Sequence, residues 1–300
     1  MEPGENRSTA GSCSNYWGIF CGNDAYSNHR TEKGGGDLLL SINPLADNLA
    51  WVWDIIALII TFGVIQALVL VNSVLQKREL LPRYITRKII HIFAAALYLV
   101  CWLLFSGSES SRYFAMFVPL AFIVQFAAIG FGLRQDEAFV NSMSRSGDPK
   151  ELLGGTLHYA IVMFLCTILF FNAGGDAGNG NPAALYILGA VAGGDGLAEI
   201  LGRRFGGSKK FGFGGARKTV VGSIGMFAGS VITILILTAI FGSGLNLATI
   251  IILSLLATIV EALTPKGIDN FTVAAAVFIG ILILGSVAAD LWPFTPLFTL

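Results

Sequence analysis

The chain has 300 residues, 54% of them hydrophobic and only 13% charged, whereas a soluble globular protein carries about 25% charged residues. That composition excludes an ordinary soluble domain and marks an integral membrane protein. Lys plus Arg and Asp plus Glu number 19 each, so bulk charge gives no case for a nucleic-acid partner.

Residues 1–49 are rich in Gly, Ser and Asn, lack an apolar run, and read as a mobile polar tail. Cys13 and Cys21 lie in it and can pair if it faces an oxidising space. Six acids against three bases argue against a cleaved transit peptide, which is Arg-rich and poor in acids. Cys101 and Cys166 lie in apolar segments as packing residues, and no C-x-x-C metal pattern occurs.

A spanning helix needs about 20 mostly apolar residues. Eight segments qualify: 50–75, 89–106, 112–133, 152–172, 183–201, 220–242, 245–263 and 271–292. The expected fold is an all-α bundle of about eight transmembrane helices (seven to nine), with residues 50–300 as one membrane domain. The connections alternate in basicity. Those after the first, third, fifth and seventh segments hold 15 of the 19 Lys and Arg residues; "GSESS", "AGGDAGNGNP" and "GSG" hold none. The positive-inside rule puts the basic connections on the cytoplasmic side, or its stromal or organellar equivalent, and both termini on the other.

The same parity gathers the polar residues. Arg87, Lys88 and His91 lie where the second segment leaves its basic connection, and Glu151 precedes the fourth. Asp195 and Glu199 end the fifth, Glu261 ends the seventh, and Asp269 and Asn270 lie in the last connection, just before the eighth. All fall toward one membrane face. Asp54, Asp176 and Asp290 fall toward the other.

Asp195 and Glu199 are four apart and share a helix face. Carboxylates in a spanning segment are expensive and face a partner or a cavity. They read either as an ion pair with Arg203 or Arg204, or as a Mg²⁺ site completed by water and substrate phosphates. The loop that follows, "GRRFGGSKKFGFGGARKT", joins flexible glycines to six bases. Such a loop suits phosphates through backbone amides and cationic side chains; a topogenic loop beside anionic lipid has the same composition. "GFGGARKT" approaches the P-loop pattern but has Arg217 at the required glycine and follows no soluble strand, so a P-loop fold is excluded. His91, one turn after Arg87, suits a phosphate contact, a carboxylate-orienting bond or packing. Glu261, Asp269 and Asn270 read as a metal- or base-supplying group or as a helix cap.

"RKIIHI", "KELLGGTLHY", "GGDGLAEILGRRFG", "RKTVVGS" and "EALTPKGIDNFTV" occur in this order over about residues 83–280. In these motifs the chain resembles the polyprenol kinase family, in its phytol and farnesol kinase branch, with dolichol kinase more distant. It departs at His158, where the family tends to have an aromatic, and at Gly154, Thr156, Thr219 and Val220. The resemblance implies transfer of the γ-phosphate of CTP to an isoprenoid alcohol in the bilayer, with Mg²⁺. On that reading Asp195, Asp269 and Glu261 are catalytic, and Asp195 and Glu199 hold the metal. Arg87, Lys88, His91, Gly194, Gly196, Arg203, Arg204, Lys209, Lys218 and Ser223 bind nucleotide phosphates, and Glu151 and Asn270 support them. The competing enzyme is a phosphatidate cytidylyltransferase, which transfers CMP. A transporter would place its site near the midplane between repeats; here the acids cluster at one face and no repeat is evident.

Overall fold

The computed structural model describes residues 43–45, 47–172, 181–212, 214–244, 246–288 and 290–294. The expectations for Cys13, Cys21, Asp176 and most of the N-terminal tail lie outside them.

The described chain is helical. The helices are α1 (Ala50–Lys77), α2 (Arg83–Trp102), α3 (Ser111–Gly130), α4 (Glu137–Met143), α5 (Gly155–Phe170), α6 (Ala183–Gly189), α7 (Asp195–Phe205), α8 (Val220–Ile240), α9 (Leu247–Leu263) and α10 (Asp269–Val287). A 3₁₀ turn, Asp47–Leu49, leads into α1, and another, Pro149–Leu153, leads into α5. Among the described residues seven spans are long and apolar enough to cross a membrane, with the 17-residue α9 as a shorter eighth. Outward residues such as Ile59, Leu70, Val124 and Ile283 are large, apolar and exposed. An apolar exterior of this extent suits lipid. This is an all-α multi-span membrane protein.

Three features depart from the expected pattern. The basic connection 134–151 contains α4, N-capped by Asp136, whose carboxylate accepts from the Phe139 amide at 3.0 Å. The fifth span is broken: α6 and α7 are joined by a π-helical turn, Ala190–Gly194, over the first part of "GGDG". Asp54, an opposite-face residue, is fully buried and accepts from the Ser106 amide (2.8 Å), the Ser108 hydroxyl (3.1 Å) and the Ser111 hydroxyl (2.8 Å). A lone buried carboxylate would be costly. Here it ties the α2–α3 connection to α1.

Contacts sort the connections into two ends. At one end Gln76 donates to the Asn141 carbonyl, the Gly267 carbonyl meets His158, Lys218 pairs with Glu261, and Gly214 approaches Pro265. At the other, Trp53 donates to the Leu104 carbonyl and Asn246 to the Asp290 carbonyl. The four basic connections therefore meet at one end of the bundle.

The π turn packs hard against α8. A Cβ on Gly193 would lie 1.9 Å from Thr233 Oγ1, and one on Gly229 would lie 2.3 Å from the Gly193 carbonyl oxygen. Small residues let membrane helices approach this closely. Gly229→Val should therefore lower thermal stability in detergent by about 1–3 kcal/mol or more. Gly63→Ala, with nothing within 4 Å of the new Cβ, should be neutral or slightly stabilising. Melting curves of the purified variants, monitored by size-exclusion chromatography, check both.

Candidate active site

The polar residues of α2 and α7 meet across more than a hundred residues of sequence. Lys88, almost wholly buried, sits between both carboxylates: its Nζ is 2.5 Å from Asp195 Oδ2 and 3.3 Å from Glu199 Oε2, and donates to the Asp195 carbonyl at 3.2 Å. Arg87 pairs closely with Glu199. Arg203 Nη2 lies 2.8 Å from the other Glu199 oxygen, and Arg145 Nη2 lies 3.7 Å from Glu199 Oε2. Four cations thus surround one carboxylate. His91 Nε2 is 3.2 Å from Asp195 Oδ2 and 3.3 Å from the Val191 carbonyl. The π turn offers that carbonyl. The Tyr159 ring stacks on His91 at 4.2 Å, and its hydroxyl donates to the His91 carbonyl at 2.6 Å.

The second acidic group comes from α9 and α10. Glu261 is buried and pairs with Lys218, which also donates to the Glu261 carbonyl at 2.5 Å. Asp269, the first residue of α10, differs. Its carboxylate accepts only from the adjacent Asn270 amide, at 3.2 Å, and no cationic nitrogen of the described residues lies within 4.0 Å of it. Asn270 donates through Nδ2 to the Gly155 carbonyl at 2.6 Å, while its buried Oδ1 has no partner among the described residues.

Two cavities meet at these residues. One, of about 310 Å³, runs between α1, α2, α3 and α5, with Ile65, Val69, Val118, Phe122, Phe126 and Met163 among its apolar walls. The other, of about 670 Å³, is a polar basin bounded by α7, the 206–219 connection and the start of α8. Arg145, Asp195, Lys266 and Asp269 line both. The connection folds back as a hairpin closed by the paired backbones of Phe211 and Lys218, with Gly212, Gly214 and Gly215 at positive φ. Only glycine takes such φ values readily. The hairpin sets Lys210, Arg217 and Lys218 on the basin wall. Thr219 caps α8, accepting from the Gly222 amide at 3.0 Å, so the helix start opens into the basin beside the unpartnered Ser223 hydroxyl. A helix N-terminus among cations attracts anions.

Most of the expected site residues converge. Asp195, Asp269, Asn270, Glu151, Arg87, Lys88 and His91 line the apolar cavity, and Asp195, Glu199, Arg203, Lys218, Ser223, Glu261 and Asp269 line the basin. Four do not. Gly194 packs against Ser230 and Met226, and Gly196 against Ile92, so close that a Cβ would overlap each neighbour. Their smallness serves helix packing. Arg204 lies over the Phe205 ring at 5.7 Å, and Arg204 and the exposed Lys209 line neither cavity. Glu151 accepts from the Arg145 and Ser146 amides and so fixes the turn that carries Arg145. Sequence reasoning treated Arg145 and Lys266 only as loop charge, Lys210 and Arg217 only as unspecified members of a phosphate-suited loop, and Tyr159 not at all. Basic-loop counting had found the cations, but nothing local separated those facing a cavity from those facing water.

The assembly is that of a membrane-embedded protein with an anion-attracting basin opening onto an apolar chamber. The chain belongs to the cytidylyltransferase family, which it matches over residues 46–263. It is 33% identical over 242 residues to the probable chloroplastic phytol kinase of Triticum aestivum, covering 77% of each chain. It is 33% identical over 233 residues to the chloroplastic phytol kinase 1 of Arabidopsis thaliana, covering 74% of each. It is 35% identical over 150 residues to the chloroplastic farnesol kinase of Arabidopsis thaliana, covering 50% of this chain and 46% of that protein. No solved structure matches the chain.

The buried and exposed members of the ion cluster should differ in worth. Lys88→Met leaves two carboxylates short of their central partner and should cost about 3–5 kcal/mol. Arg203→Met, at a half-exposed position, should cost less than about 1 kcal/mol. Chemical denaturation in detergent checks the ranking.

Proposed function

We propose that the chain is a membrane kinase that transfers the γ-phosphoryl group of CTP to the hydroxyl of an isoprenoid alcohol of the phytol, geranylgeraniol or farnesol type. The observation that carries this reading is the sharing of Arg145, Asp195, Lys266 and Asp269 by an apolar and a polar chamber. An alcohol with a long hydrocarbon tail and a triphosphate need opposite environments and one meeting point. The similarity to phytol and farnesol kinases supports the acceptor class, and the family supports CTP as the donor.

Phosphoryl transfer asks the protein mainly for positioning and charge stabilisation. Lys210, Arg217 and Lys218, with the Ser223 hydroxyl and the start of α8, hold the triphosphate in the basin. Glu261 fixes Lys218. The alcohol lies in the apolar cavity with its hydroxyl donating to the unpartnered Asn270 Oδ1 or to Asp269. Asp269 accepts the hydroxyl proton. The alcohol oxygen bonds to the γ-phosphorus, the bond from that phosphorus to the β–γ bridging oxygen breaks, and CDP leaves. Arg145 and Lys266, at the junction, oppose the charge on the moving phosphoryl group.

Mg²⁺ binding often uses one or two carboxylates and leaves the remaining positions to water and phosphates. Asp195, whose Oδ1 takes no part in the Lys88 and His91 contacts, fits that demand at the junction, and the metal would neutralise phosphate charge there. Glu199 fits it less well, because four cations already engage it. Its role on this reading is to hold Arg87, Lys88, Arg145 and Arg203 in place. The basin faces the cytoplasm, or the stroma of a plastid, and both termini lie opposite.

Asp269→Asn should lower kcat by about 10²–10⁴-fold, the usual contribution of a general base, with the melting temperature retained. Purified protein given farnesol or geranylgeraniol and CTP labelled at the α or the γ position tests the reaction. Lipid label from γ supports the kinase. Label from α overturns it in favour of CMP transfer, the reading that the family's name favours.

A further inference from the structure

The apolar cavity ends against a bonded layer of residues one helical turn beyond its deepest walls. Its deepest lining residues, away from the polar end, are Ala94 on α2, Val118 and Pro119 on α3, and Met163 on α5. One turn deeper on each helix lie Tyr98, Ala115 and Thr167. These three are fully buried and bonded together: the Tyr98 hydroxyl donates to the Ala115 carbonyl at 3.1 Å and lies 2.7 Å from Thr167 Oγ1. Thr167 Oγ1 also lies 2.7 Å from the Met163 carbonyl oxygen, and its single proton is shared between that oxygen and the Tyr98 hydroxyl.

Pro119 explains why a hydroxyl is needed at this depth. Proline has no N–H, so the carbonyl four residues earlier in a helix loses its donor. That carbonyl is Ala115, and Tyr98 supplies the missing bond. In a bilayer core an unsatisfied carbonyl costs several kcal/mol. The Tyr98 side chain is thereby held in the layer just beyond Ala94, backed by Trp102, whose ring lies edge-on at 5.8 Å.

We infer that Tyr98 is a length-determining residue: its ring stops the hydrocarbon tail of the acceptor alcohol. This rests on the functional reading above. On α5 the cavity wall runs from Gly154 to Met163, which at about 1.5 Å per residue is roughly 14 Å deep. With C–C bonds of about 1.5 Å, an extended five-carbon unit is roughly 5 Å long. The tail therefore meets the ring near the end of its third unit. A fourth unit has to fold back beside the third. Removing the ring opens about one more unit of space.

The test compares kcat/KM for geraniol, farnesol and geranylgeraniol in purified wild type, Tyr98→Ala, Tyr98→Phe and Ala94→Leu. Each further methylene buried is worth about fourfold, so Tyr98→Ala should raise the geranylgeraniol-to-farnesol ratio at least tenfold. Ala94→Leu raises the floor from inside the cavity and should raise the geraniol-to-farnesol ratio. Tyr98→Phe keeps the ring but orphans the Ala115 carbonyl; it should lower the melting temperature and keep the wild-type length ratios. If Tyr98→Ala does not fold, Ala94→Leu decides. Ratios within twofold of wild type in whichever of Tyr98→Ala and Ala94→Leu fold and turn over would overturn the inference. A wild type that phosphorylates none of the alcohols would instead sink the functional reading.

Discussion

The site depends on one buried ammonium group. Lys88 enters from α2 and lies within 3.3 Å of both Asp195 and Glu199 on α7. Neither carboxylate could remain charged in a spanning segment alone. With Lys88 central, and Arg87 and Arg203 bonded to Glu199, the two acids become the anionic core of a cationic shell. That core fixes α2 against α7, and so sets the wall shared by the apolar cavity and the basin. A buried ion pair is seldom a net source of stability compared with apolar packing. Its retention here suits positioning: it holds several cations rigidly at the edge of a basin made for anions.

The break in the fifth span makes this arrangement possible. An uninterrupted α-helix from Ala183 to Phe205 would satisfy its own carbonyls. The π turn at Ala190–Gly194 instead leaves the Val191 carbonyl within reach of His91 and sets Asp195 at the start of a new helix. Such bulges cost regular hydrogen bonding and occur often at functional sites. Gly193 and Gly194 let α8 close over the bulge, and Gly196 does the same for α2. The glycines around Asp195 thus act from behind it, through packing.

This separates what sequence could disclose from what it could not. Eight apolar stretches and the alternation of basic connections need only local counting, and the helices follow both. Asp195 was legible because a carboxylate in a greasy run is anomalous by itself. Of the partners of Glu199, Arg203 was legible four residues on; Arg87 was not, being 112 residues away, nor was Arg145, on a turn whose course Glu151 sets. Gly194 and Gly196 misled for a related reason. A glycine beside an acid looks the same in sequence whether its open side faces a phosphate or a neighbouring helix. Only the nearness of Met226, Ser230 and Ile92 distinguishes the two.

The uneven pairing of the acids bears on which of them, on the proposed reading, takes the proton. Glu199 is saturated with cations, Glu261 is committed to Lys218, and Asp195 is held by Lys88 and His91. Asp269 alone of these four stands at the junction without a cation. A carboxylate locked in ion pairs is a poor proton acceptor, because taking a proton forfeits those contacts. One left free beside an unpartnered Asn270 oxygen loses little on protonation. The surrounding charges, by being paired with each other, keep the junction polar enough for a phosphate yet leave one oxygen acid uncommitted. That division of labour follows from where α10 begins: a start one turn later would carry residue 269 off the helix, and Asp269 would no longer be fixed between the two chambers.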